Sequence, residues 1–256
     1  MPLAPAPTDP PPPQFGPWRP RLAAWTGLGL VIEGLEHADG QPAPANYIDD
    51  LLLREPLREP FLALIDRAGL VVCKQVGSDH PTHRDVRGRS SRGKLSQGEY
   101  YHHDGCSGPV KPRVVEIRCP HQSTPRHIAT AIAPFPATVH AMLHELPAAL
   151  VDAELAPWHA LVRAGGELPP DQHDLVQGLL NRAIRRDLDA ESARAFFRAV
   201  DLCAGAYREP WSFGESRFIA NRNPTRTMQH RRAYLEVHSG GQANGRLVKR
   251  WPAEEA

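Results

Sequence analysis

Three residues of types that bind transition metals carry the most chemical information in the sequence. His102 and Asp104 are separated by one residue, and alternate residues of an extended strand project to the same side. A second imidazole from a later strand would complete a set of two histidines and one carboxylate, and His230 is the residue we predict for that place. Such a set binds ferrous iron and leaves three coordination positions open for a co-substrate and oxygen.

Two other histidines are alternatives to these ligands. His103 adjoins His102, but only His102 has the one-residue gap to Asp104 that strand alternation requires. His238 follows His230 but lies beside serine and glycine residues that predict a loop, whereas metal ligands are expected on rigid elements. We therefore predict His102, Asp104 and His230 as the metal-binding and catalytic residues.

Charge and cysteine content exclude several classes of protein. The 30 lysines and arginines balance 29 acidic residues, so the net charge of +1 gives no reason to expect nucleic acid or a membrane surface as partner. The four cysteines lack the spacing of a zinc knuckle or a disulfide framework. No apolar run approaches the roughly 20 residues of a membrane helix, and no signal peptide is recognised. We expect a cytoplasmic protein with a small-molecule substrate, and the oligomeric state stays open.

The order of elements predicts a mixed fold with a mostly β core. Residues 1–20 contain nine of the 27 prolines, which predicts a flexible arm, and residues 21–256 are expected to form a single domain. Helical periodicity over about 137–206 indicates a helical insertion between two strand-rich parts. Strands are predicted at 70–76, 113–119, 127–133, 216–220, 233–237 and 246–251.

A basic segment over 80–94 precedes the His102 motif. It contains arginines and a lysine among glycines and serines and has no apolar periodicity. A solvated charged loop explains this composition, and so does a lid that closes over an anionic co-substrate. The sequence leaves both interpretations open.

Three segments together resemble one enzyme family. Tyr-His-His-Asp-Gly at 101–105 looks like an aromatic-His-x-Asp segment, and 213–222 is similar to a strand and Asn-Arg turn that lead to a distal histidine, here His230. Residues 245–251 resemble a closing strand whose first arginine binds a carboxylate. These are features of the Fe(II)- and 2-oxoglutarate-dependent oxygenases, in the branch typified by taurine dioxygenase and clavaminate synthase. The match covers roughly residues 60–251.

The resemblance implies a fold, cofactors and further site residues. The implied fold is α+β, a distorted double-stranded β-helix of the jelly-roll or cupin-like kind with the helical insertion and flanking helices outside. The implied cofactors are Fe(II), 2-oxoglutarate as co-substrate and O2. Arg246 is predicted to bind the distal carboxylate of 2-oxoglutarate, and Arg250, on the same strand face, either binds the substrate or is itself that arginine. Asp104 stands where related halogenases carry a small residue, which favours oxygenation over halogenation.

The resulting functional prediction is a non-haem dioxygenase. It would hydroxylate or otherwise oxidise a small polar substrate, a free amino acid or a derivative, while 2-oxoglutarate is converted to succinate and CO2. Desaturation and ring closure would use the same ligands. The alternatives are a zinc-dependent hydrolase or lyase with the same His-Asp-His site and a non-catalytic binding module on the same scaffold. Four arginines could meet a substrate carboxylate: Arg113, Arg118, Arg217 and Arg222.

Overall fold

The architecture is mixed, with β-sheets formed by strands that precede and follow a long helical segment. The structure, a computed structural model, describes residues 11–74, 84–85, 95, 97–104, 112–119, 128–211, 214–221, 226–234 and 247–252. None of the helices in these ranges combines the length and apolarity that crossing a membrane requires.

The larger sheet has seven strands, and apolar runs in the sequence form its centre. The run Leu70-Val71-Val72-Cys73 does not alternate with polar residues, which is typical of a strand covered on both faces, and these four residues are buried. Neighbouring strands are antiparallel except those at Gly29–Glu33 and Leu70–Lys74, which are parallel. In spatial order the strands are β2 (Ala23–Thr26), β3 (Gly29–Glu33), β5 (Leu70–Lys74), β9 (Glu215–Ala220), β7 (Pro112–Cys119), β11 (Leu247–Pro252) and β6 (Arg84–Asp85).

A smaller antiparallel sheet pairs β8 (Ile128–Pro134) with β10 (Met228–Tyr234). His230 lies opposite Ile132 in this pair. Backbone bridges extend the sheet on both sides, from His230 to His102 and from Ile132 to Tyr207. Four segments that are far apart in the sequence therefore meet in one layer.

The N-terminal region begins to pack on the rest of the fold at Phe15, whereas the sequence predicts a loose arm through residue 20. Phe15 is only 2% exposed and belongs to the apolar core, and β1 (Trp18–Pro20) pairs with β4 (Leu35–His37). The loose arm predicted for residues 1–20 therefore does not extend through 15–20, because two aromatic side chains within it find apolar partners. Residues 1–10 lie outside the described ranges.

Five α-helices complete the described architecture, four of them within the segment predicted as a helical insertion. Asp189 caps the last of them by accepting a hydrogen bond from the Ser192 backbone N–H at 2.8 Å. The predicted helical block over 137–206 is confirmed as helical, in separate pieces. The helices are α1 (Arg58–Ala68), α2 (Phe135–Glu145), α3 (Ala156–Arg163), α4 (His173–Asp187) and α5 (Ala190–Cys203).

Two apolar clusters lie on opposite faces of the smaller sheet. Met228 and Ile132 belong to the cluster that the larger sheet and α1 share, and we call their side the inner face. Ala131 and Ala233 belong to the cluster formed with α2, α4 and α5, and we call their side the outer face. Because side chains alternate along a strand, Met228, His230 and Arg232 of β10 project to the inner face, and Gln229, Arg231 and Ala233 project to the outer face.

Candidate metal centre

Three side chains from distant parts of the chain meet at the inner face of the smaller sheet. Asp104 Oδ1 lies 3.7 Å from His102 Nε2, and Asp104 Oδ2 lies 3.8 Å from His230 Nε2. One ligand atom from each residue lies within 4.8 Å of the other two. The structure thus brings together the three residues predicted as metal ligands, and their binding of a metal stays a prediction.

Backbone pairing sets the two imidazoles side by side. The N–H of His102 donates to the carbonyl oxygen of His230 at 3.1 Å, and the N–H of His230 donates to that of His102 at 3.2 Å. Residues directly opposite each other in an antiparallel pair project to the same side, and the two ring centres are 4.5 Å apart. The relative position of the two histidines is therefore fixed by the sheet.

His102 presents one ring nitrogen to the site. Its Nδ1 lies 2.7 Å from the carbonyl oxygen of Tyr100, and because a carbonyl oxygen only accepts, Nδ1 carries the proton. In the neutral ring, Nε2, which faces Asp104, then has the lone pair that a metal needs. Hydrogen bonds of this kind fix the tautomer and orientation of metal-binding histidines.

Asn221, at the end of β9, holds the backbone of Asp104. The Asn221 Oδ1 accepts from the Asp104 N–H at 2.9 Å, and Nδ2 donates to the Asp104 carbonyl oxygen at 3.1 Å. Nδ2 also donates to the carbonyl oxygen of Pro112 at 2.9 Å. This fully buried amide therefore links the carboxylate segment to the larger sheet.

The donor set fits a divalent transition-metal ion. Imidazole nitrogens and carboxylate oxygens bind such ions at about 2.0–2.2 Å, so neighbouring donors on an octahedral ion are about 3 Å apart. The distances of 3.7 and 3.8 Å from the carboxylate to the two imidazoles are within small side-chain adjustments of that value. Two neutral imidazoles and one carboxylate leave a dication with one net positive charge, which suits an anionic chelating ligand.

On the outer face of β10, Arg231 belongs to a closed ionic network. Asp201 of α5 accepts hydrogen bonds from Arg231 Nε at 2.8 Å and Nη2 at 2.6 Å, and from the Tyr101 hydroxyl at 2.8 Å. Burial and then the Asp201 carboxylate raise the pKa of Tyr101 well above its ordinary value. Burial alone would lower the pKa of Arg231, but Asp201 outweighs it and the pKa is raised. The sequence neighbours of both imidazole ligands are thus tied to one helix.

A second outer-face cluster consists of side-chain amides. Gln177 Nε2 donates to Gln229 Oε1 at 2.7 Å, and Gln229 Nε2 donates to Gln177 Oε1 at 2.8 Å. Thr138 Oγ1 also donates to Gln229 Oε1, at 2.9 Å. The ring of His103 lies on this side, with its centre 4.8 Å from that of Phe135, so His103 is not part of the three-residue group.

The remaining predicted site residues lie in less fully described parts of the chain. Arg250 stands opposite Val115 in the pairing of β11 with β7, and its side chain is outside the described part. Arg246 and the alternative ligand His238 lie outside the described residues, as does the basic segment 80–94 except for β6.

Asn221 and Asp201 support the site in ways that the sequence does not predict. Asn221 was included in the Asn-Arg turn, but no local pattern shows that its amide reaches Asp104. Asp201 had a usable signal, because it falls on the apolar stripe of α5 with Phe197 and Val200. A carboxylate at a core position requires a cationic or hydrogen-bonding partner.

Comparisons with known proteins give a likeness of fold only. No protein-family model and no curated protein sequence matches the chain. Among solved structures, AAD-2 in complex with Mn(II) and N-oxalylglycine is 10% identical with a TM-score of 0.47, covering 91% of this chain and 98% of that one. A taurine dioxygenase from Burkholderia xenovorans is 12% identical with a TM-score of 0.45, covering 91% of each chain. PvcB, an Fe, alpha-ketoglutarate dependent oxygenase from an isonitrile synthetic pathway, is 13% identical with a TM-score of 0.41, covering 91% and 86%.

Proposed function

We propose that the protein is an Fe(II)- and 2-oxoglutarate-dependent oxygenase that oxidises a small polar molecule. The observation that carries this proposal is the convergence of His102, Asp104 and His230, with ligand atoms within 4.8 Å of one another. A face of two imidazoles and one carboxylate leaves three adjacent positions of an octahedral ion open, as a chelating keto acid and oxygen require. When bound, ferrous iron would bring together O2, which is the oxidant, and 2-oxoglutarate, which gives two electrons to O2 and is converted to succinate and CO2.

The chain's own groups would position and shield that chemistry. The Tyr100 carbonyl orients His102 so that Nε2 faces the carboxylate, and Asn221 fixes the backbone of Asp104. His230 is only 6% exposed, so its side of the site is screened from bulk water. Arg246 or Arg250 would bind the distal carboxylate of 2-oxoglutarate, as the sequence resemblance implies.

The proposed substrate is a free amino acid or a derivative. Most of the arginines that the sequence suggested as partners for its carboxylate are paired with acidic residues of the protein. Of the four arginines considered for a substrate carboxylate, Arg113 pairs with Asp66, Arg118 with Asp49 and Arg217 with Glu215. These three cations are already neutralised within the fold, and Arg222 lies outside the described residues. A substrate carboxylate needs a different partner.

We also propose that the two sheets form a distorted double-stranded β-helix within a single domain. The meeting of His102, β10, β8 and Tyr207 in one layer, opposite the seven-stranded sheet, supports this topology.

A zinc hydrolase could use the same three ligands, but it would need no keto acid. Dependence on 2-oxoglutarate therefore separates these two functions.

The test is a screen for substrate-dependent succinate release. Purified protein with ferrous ion, 2-oxoglutarate and oxygen is incubated with each amino acid and close derivatives, and succinate and product masses are measured. We expect at least one compound to raise succinate release and to change its own mass by an oxidation. The Asp104→Ala variant is the control. If wild-type succinate release never exceeds that of this variant, the proposal is wrong.

A further inference from the structure

Four arginines are buried in the described part of the chain, and one of them differs from the rest. Arg118, Arg217 and Arg231 each donate to a buried carboxylate: Nη1 of Arg118 to Asp49 at 2.7 Å, Nε of Arg217 to Glu215 at 2.5 Å, and Nη2 of Arg231 to Asp201 at 2.6 Å. The fourth, Arg232, is 8% exposed. Within the described residues, its Nε and Nη1 have no hydrogen-bond partner.

Arg232 lies on the same face of β10 as His230. Neighbours two apart on a strand project to the same side, about 7 Å apart along the chain. Met228 confirms the direction of this face, since it packs in the cluster shared with the larger sheet. The intervening Arg231 points the other way and binds Asp201. Arg232 is therefore the cation that β10 presents on the side of the candidate metal centre.

Among the described residues, no carboxylate of the turn at 97–99 accepts a hydrogen bond from Arg232 Nε or Nη1. Its Nη2 lies 3.7 Å from where a Cβ on Gly98 would be, so the guanidinium extends toward the turn that precedes His102. The carboxylate of that turn, Glu99, accepts from Arg194 Nε at 2.9 Å. A buried guanidinium with unused donors is costly to a fold unless a ligand supplies the missing acceptor.

We propose that Arg232 binds a carboxylate of a small molecule held at the metal centre. A guanidinium suits this role because its planar fork offers parallel N–H groups to both carboxylate oxygens. The carboxylate belongs either to the substrate or to 2-oxoglutarate, which share this chemistry. In the second case Arg232 would take the place of Arg246 or Arg250 at the distal carboxylate. The inference rests on the proposed function for the location of the ligand, but its first test requires no metal and no turnover.

The first test compares the adjacent arginines in metal-free protein by thermal melting. Arg231→Met removes the buried cation that makes two hydrogen bonds to Asp201, which keeps only Tyr101 and the half-buried Arg208, and we expect its Tm to fall by several degrees. Arg232→Met removes a buried charge that has no carboxylate partner, so its Tm is expected to stay unchanged or rise. A fall in Tm for Arg232→Met as large as that for Arg231→Met would assign Arg232 a structural role and overturn the proposal.

The second test measures anion binding by calorimetry without oxygen, with Mn(II) in place of iron. In the first arm, 2-oxoglutarate is titrated into the protein. In the second arm, 2-oxoglutarate is already present, and each of the amino acids that occur in proteins is titrated in turn. Each amino acid is compared with its carboxamide, in which a neutral amide replaces the carboxylate. We expect Arg232→Gln to weaken binding at least about tenfold in one arm, with partial recovery in Arg232→Lys. If the amino-acid arm responds, the matching carboxamide should be insensitive to the substitution.

The two proposals fail in different ways. Arg232 is not a metal ligand, so Arg232→Gln should bind Mn(II) as the wild type does. A wild-type protein that binds no Mn(II) would contradict the proposed function, and the same titrations on metal-free protein would still report on Arg232. If neither arm distinguishes Arg232→Gln from wild type, the proposed anion-binding role is wrong.

Discussion

The two faces of β10 carry similar polar and charged residues, but the faces differ in whether the fold supplies hydrogen-bond partners for them. On the outer face, Gln229 and Arg231 have partners on the helices, in Gln177 and Asp201. On the inner face, His230 meets Asp104 at 3.8 Å, and Arg232 has two buried nitrogens without a hydrogen-bond partner in the described part of the chain. One strand therefore presents a polar network closed within the fold on one side and, on the other, donors suited to a ligand.

This difference separates stability from binding at the level of single residues. A closed polar network in a buried site rigidifies the elements that it joins, and here it joins α5 to the neighbours of His102 and His230. Polar groups that the fold leaves without acceptors are found at functional sites, where a ligand completes them. Substitutions on the outer face should therefore affect folding, and those on the inner face should affect ligand binding.

The largest expected effect is on the outer face. Asp201→Ala leaves Arg231 buried without its carboxylate, so the free energy of unfolding should fall by about 3–5 kcal/mol, measured by urea denaturation. Asp189→Ala, at the exposed cap of the same helix, is the control and should cost about 1 kcal/mol. If the free energy of unfolding fell equally in the two variants, the outer-face network would contribute no more to stability than a helix cap, which contradicts the prediction.

Adjacent histidines offer the sharpest contrast between the two faces. His102→Ala should weaken metal binding by more than about 100-fold, since outer-shell partners alone contribute 10–100-fold. His103→Ala, whose ring packs on Phe135, should change metal affinity by less than about tenfold. Calorimetric titration with Mn(II) measures both. A larger loss in His103→Ala than in His102→Ala would reverse the assignment of the two histidines.

An intermediate effect is expected at Asn221. Its amide holds the backbone of Asp104 without facing the metal position, so Asn221→Ala should weaken Mn(II) binding by about 10–100-fold. Asn46→Ala is a suitable control, because Asn46 contacts Arg118 instead and metal affinity should stay at the wild-type value. Wild-type affinity in Asn221→Ala would mean that Asp104 is held by other contacts.

The smallest expected effect is a pH dependence of the outer network. The pKa of Tyr101 in the folded protein is well above the ordinary 10.0, so its contribution to stability is full below about pH 10 and is lost as the pH rises further. Tyr101→Phe should therefore cost about 1 kcal/mol at pH 8, and the difference from wild type should shrink at pH 10.5. Urea denaturation at both pH values measures this, and a difference that grows with pH would contradict the assignment.

The sequence identified the residues of the candidate site better than their surroundings. The one-residue spacing singles out His102 and Asp104, because it is a local property. The structure has Asp104 in a turn just after the bridge at His102, so regular strand alternation does not account for their meeting. The pairing of His102 with His230 depends on which strands become neighbours, which local periodicity does not encode. The roles of Asn221 and Asp201 depend on contacts across 117 and 30 residues.

Strands and helices also divide into those that a local sequence pattern predicts and those that tertiary contacts determine. The apolar run at 70–73 and the helical periods within 137–206 are recognisable, since each element carries its own pattern. The N-terminal residues 15–20 were misassigned because their prolines suggested a loose arm, whereas burial of Phe15 in the core decides their structure. Tertiary packing outweighs composition in that segment.

The central claim is that His102, Asp104 and His230 together hold a ferrous ion that 2-oxoglutarate chelates. Its most direct test is an anaerobic titration of the protein with ferrous ion and 2-oxoglutarate, followed by visible spectroscopy. We predict a weak charge-transfer band that saturates at one equivalent of iron in wild type and is absent in His230→Ala. A wild-type protein without this band, or a His230→Ala variant that retains it at full intensity, would contradict the claim.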